Sequence, residues 1–270
     1  MTPKNKKTKT KKAPSKTLHN ESTKKQIFYA TIKAILLLIW TAASVIVVQL
    51  VLGYLMLWLL GRDNFAKPVP TAIYSALSYI LAFLLLYFAT PAINRKTTYK
   101  TMGRNDLGLR DLPTWTDVGL APVGFIASIF LAAGLVAIFN LFPWFDAEQA
   151  QDVGFNIYLF GLDRVVAFIT LVVIAPIAEE LIFRGWLYGK LRLMFSEKMS
   201  DTLSMVISTF LVSLLFGIIH MQWNVGVNVF AMSIILCGLR EITGTIYAGI
   251  ILHMIKNGLA FYLLYVLGIR

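Results

Sequence analysis

Seven stretches of the chain are apolar over the length that a membrane-spanning helix requires. They fall near 35–60, 72–93, 119–142, 165–187, 203–221, 225–239 and 245–267. Crossing the hydrocarbon takes about 20 mostly apolar residues in helical form, because any open backbone would leave polar groups unsatisfied there. The composition agrees, with 57% hydrophobic and only 14% charged residues among 270, far from the balance of a soluble domain. The pattern therefore predicts an all-α, polytopic helical membrane protein with about seven spans. The stretch 155–162 suits a re-entrant or interfacial helix and would make eight. The first apolar run is too long, and begins too far along the chain, for a cleaved signal peptide, and is expected to remain as the first span.

Charge orients these spans. The segment 94–118 contains Arg95, Lys96, Lys100, Arg104 and Arg110, and the one after the fourth span contains Lys190, Arg192 and Lys198. Both are expected on the cytoplasmic side. The segment 143–163 holds Asp146, Glu148, Asp152 and Asp163 and no Lys or Arg, as an external loop would. A cytoplasmic N-terminus in a plasma membrane, bacterial by this charge pattern, satisfies the alternation. Residues 1–33 carry ten lysines against Glu21 alone, most of the net charge of +11. Such a segment buries too little apolar area to offset its chain entropy and is expected to be disordered. Its expected partner is the anionic lipid headgroup layer of the bilayer, rather than nucleic acid. Cys237 is the single cysteine, which excludes a disulfide framework and reads as a small packing residue. The chain thus divides into the tail 1–33, three leading spans in 34–142 and a C-terminal unit 143–270.

Ionisable groups inside a bilayer are costly, and each asks for a partner or a purpose. The first three spans offer little beyond Gln49 and scattered hydroxyls, whereas the fourth, fifth and seventh hold Glu179, Glu180, Arg184, His220, His253, Lys256 and Asn257. Glu179 and Glu180 are adjacent, so they project about 100° apart on a helix and meet different neighbours. Glu180 precedes Arg184 by four residues, the spacing of a charge-assisted pair on one face. That pair reads as structural support, and Glu179 is left without a local countercharge, free to act as a general base. A structural ion-pair cluster holding two spans together is the alternative for all three. His220 closes the fifth span and by itself is as well explained as an interfacial histidine. His253 and Asn257, four residues apart on one face of the seventh span, change that estimate. Two imidazoles, a carboxylate and an amide on three spans can together bind and polarise a carbonyl, although a plain interhelical hydrogen-bond pair also accounts for His253 and Asn257. Lys256 is left between two readings, snorkelling to the interface and neutralising part of the glutamate pair.

These residues resemble the motifs of the CPBP family, the CAAX prenyl endopeptidase and bacteriocin-processing (Abi) intramembrane proteases. The Glu-Glu-x-x-x-Arg pattern is present at Glu179, Glu180 and Arg184, the Phe-x-x-x-His pattern at Phe216 and His220, and the His-x-x-x-Asn pattern at His253 and Asn257. Three such motifs in order on apolar helices make a specific signal, covering roughly 165–267. The resemblance implies hydrolysis of a peptide bond in a membrane-embedded or membrane-proximal substrate, in settings such as bacteriocin or peptide-signal processing or immunity. It implies that Glu179 with His220 activates water, that His253 with Asn257 steadies the oxyanion, and that Glu180 and Arg184 shape the site. Glu179, His220 and His253 would also suit a catalytic Zn2+ with an open fourth position, and a metal-free glutamate mechanism is the other chemistry that the resemblance leaves open.

Two other function classes compete with the peptidase. An inert membrane scaffold or regulator would be expected to have lost a motif residue. A proton- or ion-coupled transporter would be expected to show related halves with matching interrupted helices, yet the polar set lies in one half. One difficulty concerns depth: Glu179 falls toward the cytoplasmic end of its predicted helix and His220 toward the external end of the next. An extension of the fourth helix past Gly185 to about Leu191, or a tilt of the fifth, would bring them level.

Overall fold

The computed structural model describes residues 16–93, 102–110, 112–147 and 159–268. Seven of its helices are long and apolar enough to cross a membrane. They are α1 (Lys16–Leu60), α2 (Pro68–Ala89), α3 (Trp115–Phe139), α4 (Gly161–Ser196), α5 (Asp201–Ile218), α6 (Trp223–Thr243) and α7 (Tyr247–Val266). The protein is an all-α, multi-pass membrane protein. Large apolar side chains such as Leu50, Val51, Val123 and Phe130 stand mostly exposed, as lipid-facing positions do, because acyl chains are as apolar as they are.

Local signals explain several ends. Thr114 and Asp117 form a reciprocal capping box at the start of α3, Pro68 opens α2, and Gly244 ends α6 in the left-handed region, a conformation that costs glycine little. Two boundaries depart from expectation. Residues 16–33 were expected to be disordered, but α1 begins at Lys16. Once a long apolar helix is nucleated, adding Lys, Glu and Gln residues at its end costs little. Residues 1–15 and 155–158 lie outside the described residues. The sixth span, short by sequence, runs over Trp223–Thr243.

The fourth span is the hub, packing against α1, α2, α5, α6 and α7. The leading spans are not a separate body. Gly124 of α3 lies so close to α6 and α7 that an added Cβ would meet Leu252 at 2.9 Å and Leu239 at 3.1 Å. Met102 and Leu107, in the short connection before α3, are buried against Gly189 and Gly185 of α4. Arg110 and Arg240 cover the carbonyl end of α6, donating to Thr243 and Gly244, which complements the exposed carbonyls there.

Backbones touch where α5 crosses α6. A Cβ on Gly217 would sit 2.8 Å from the Gly226 carbonyl oxygen, and one on Gly226 would sit 3.0 Å from that of Gly217. Small residues permit such contact between membrane helices. Gly217→Ala is therefore expected to push the helices apart at a cost of about 1–3 kcal/mol, read as a lower thermal midpoint in detergent. A midpoint equal to wild type would contradict this close crossing.

Candidate active site

The segment that presents the glutamates is an interrupted helix. Within α4, π-helical turns at Ile169–Ile174 and Leu181–Tyr188 flank a short α-helical piece, Ala175–Glu180, with Pro176 in its first turn. Proline supplies no N–H and crowds the carbonyl one turn back, and wide turns of this kind concentrate at functional positions. The helix continues to Ser196, so the extension expected from the depth argument is present.

Glu180 is wholly buried. Its Oε1 accepts from Arg184 Nη1 at 2.9 Å and from His253 Nδ1 at 3.1 Å. The expected i, i+4 pair therefore forms, and the same carboxylate also grips the seventh helix. Gly249 makes room for it, since a Cβ there would lie 3.1 Å from Glu180 Oε2. The guanidinium of Arg184 stacks 4.4 Å from the centre of the Phe216 ring, a cation–π contact strengthened by exclusion of water, with Cys237 and Ser213 alongside.

Glu179 points elsewhere, as the 100° offset requires. Its Oε1 accepts the Tyr79 hydroxyl at 2.6 Å, and its Oε2 lies 3.8 Å from His253 Nε2. Its side chain keeps 14% exposure against 0% for Glu180, so it is the carboxylate of the two that a solvent molecule can reach. Lys256 is within electrostatic reach of it, as the glutamate-neutralising alternative requires. Arg184 on Glu180 and Lys256 near Glu179 lower the cost of burying the two carboxylates.

His253 has one nitrogen toward each glutamate. Carboxylates ionised beside cations only accept, so Nδ1 donates to Glu180 and Nε2 is the nitrogen turned toward Glu179. His220 is fixed in the same manner by a different acceptor. It lies just beyond α5, where Nδ1 donates to the Phe216 carbonyl at 2.7 Å and leaves Nε2 as an acceptor. Burial pushes this imidazole below its ordinary pKa, with Glu179 pulling the other way, so it is neutral near pH 7. Its ring lies 4.9 Å from Phe216, whose other neighbours include Arg184 at 4.4 Å and His253 at 6.1 Å. No hydrogen bond joins His220 to Glu179 among the described residues. The two interact through space.

Asn257 is directed differently from its expected place. Its Nδ2 donates at 2.9 Å to the Leu171 carbonyl, in the first π-helical part of α4. Tyr79, by contrast, was missed. The sequence of the second span shows only scattered hydroxyls, yet this span contributes the shortest bond to Glu179. A tyrosine away from the ends of an apolar span, beside Ser78, was the available signal, since buried Tyr hydroxyls usually have partners.

These motif residues lie in a stretch that matches a known family. Residues 161–259 match the family model described as Rce1-like, type II CAAX prenyl endopeptidase. That stretch is similar to the CPBP-family membrane proteases. No curated protein and no solved structure matches the chain. The CPBP match takes in Glu179, Glu180, Arg184, His220, His253 and Asn257, whereas Tyr79 lies before it.

A zinc centre would need three donors converging at about 2.0–2.2 Å. Among the described residues no three His, Cys, Asp or Glu side chains converge in that way. As arranged here, Glu179, His220 and His253 do not form a three-ligand centre.

Proposed function

We propose that this protein is an intramembrane endopeptidase that cleaves a membrane-embedded or membrane-proximal peptide with a water activated by Glu179 and His220. The observation that carries the reading is the difference between two adjacent glutamates: one wholly buried and paired, the other partly reachable and aimed by Tyr79 toward His253. In the first step Glu179 takes a proton from water as the oxygen attacks the scissile carbonyl carbon, with His220 Nε2 accepting the second water hydrogen bond. His253 in its doubly protonated form donates Nδ1–H to Glu180 and presents Nε2–H to the oxyanion, where fixed donors are worth most. As the tetrahedral species collapses, the C–N bond breaks and Glu179 returns its proton to the leaving amine. Zinc has no part in these steps. The charge pattern supports a cytoplasmic N-terminus in a bacterial plasma membrane, and bacteriocin or peptide-signal processing is the role suggested by resemblance.

The test is a comparison of peptides released in the native membrane by wild type and by a Glu179→Ala, His220→Ala double variant of equal abundance. The peptidase reading expects at least one released fragment to vanish. Identical fragment sets would favour the scaffold.

A further inference from the structure

We infer that Asn257 is a positioning residue that replaces the backbone donor missing at Pro176, and so holds the register in which Glu179 and Glu180 are presented. The Leu171 carbonyl has two main-chain donors within reach of an α- or π-type turn, those of residues 175 and 176. The N–H of Ala175 is spent on the Thr170 carbonyl, five residues back. Residue 176 is proline and has none. The carbonyl of Leu171 is therefore stripped of intrahelical donors in the interior of the bundle, where an unmet acceptor is costly. Asn257 Nδ2 reaches it from α7 at 2.9 Å.

The consequence for the site is geometric. The wide turns at Ile169–Ile174 hold one residue more than α-helical turns would. Relaxing them to an α register would rotate everything that follows by about 100°. That is the angular separation of Glu179 and Glu180, so the carboxylate now facing Tyr79 would turn away from it. Asn257 acts on the reaction through the backbone of α4, and its amide belongs to the scaffold of the glutamates. Only the activity arm of the following test rests on the peptidase reading.

The experiment is a double-mutant cycle with Asn257→Ala, Pro176→Ala and the two combined, each purified in detergent and unfolded thermally. Asn257→Ala is expected to lower the midpoint by about 2–6 °C. Adding Pro176→Ala restores a backbone N–H at 176 and is expected to recover more than half of that loss, together with peptide release in the native membrane. An equal loss with proline or alanine at 176, or no loss at all, overturns the inference. Recovered stability without recovered release also overturns it, because the amide would then be needed at the reacting carbonyl. If wild type releases no peptide, the thermal cycle still decides. If Pro176→Ala does not accumulate, Asn257→Gln and Asn257→Asp carry the test: the longer amide still donates and should keep the higher midpoint, and equal midpoints would refute the role.

Discussion

Glu179→Gln is expected to lower peptide release by about 10²–10⁴-fold, the usual contribution of a positioned general base, while abundance and thermal midpoint stay near wild type. Glutamine has the same shape and can still accept the Tyr79 hydroxyl, now 2.6 Å from Oε1, so the bundle loses little packing. What it loses is the ability to take a proton from water and return it to the leaving amine. Tyr79→Phe separates aiming from proton transfer. It removes one charge-assisted donor and keeps the base, so a fall of about tenfold is expected. Cleavage measured with both variants in the same membranes gives the ordering. A Glu179→Gln variant as active as wild type would remove the carboxylate from the chemistry.

Glu180→Ala is expected to act on the fold as well as on activity. The side chains of Glu180 and Arg184 are 0% and 1% exposed and 2.9 Å apart. Removing one member of a buried pair leaves the other charge uncompensated, a loss of about 3–5 kcal/mol. It also releases His253 Nδ1 and with it the direction of Nε2. Thermal unfolding of purified protein should show a clear fall in midpoint. Glu180→Gln should fall between, since a neutral amide oxygen still accepts from His253 and Arg184 without balancing the guanidinium. An unchanged midpoint for Glu180→Ala would mean that the pair is not structural.

The positions read correctly from the sequence share a physical origin. An apolar run of about 20 residues has one low-energy conformation in a bilayer, and so the seven spans were legible, as was the all-α architecture. The Glu180–Arg184 pair was legible because both ends lie on one helix and its pitch sets their separation. The divergence of Glu179 from Glu180 follows from the same pitch.

Relations between helices were another matter, since each depends on depth, rotation and tilt that no single run encodes. Tyr79 lies 100 positions from Glu179, and only the seating of α2 against α4 brings its hydroxyl there. His253 was expected beside Asn257 at one task, yet the packing of α7 sends one to Glu180 and the other to Leu171. The π-helical turns of α4 decide that division, because an added residue per turn rotates a face by an amount that hydropathy does not register. Hydropathy and the fixed pitch of a helix were enough to say which segments enter the membrane and which charges pair along one helix. Which side chains meet across helices was decided by tertiary packing alone, through rotations and close glycine contacts that a one-dimensional pattern leaves free.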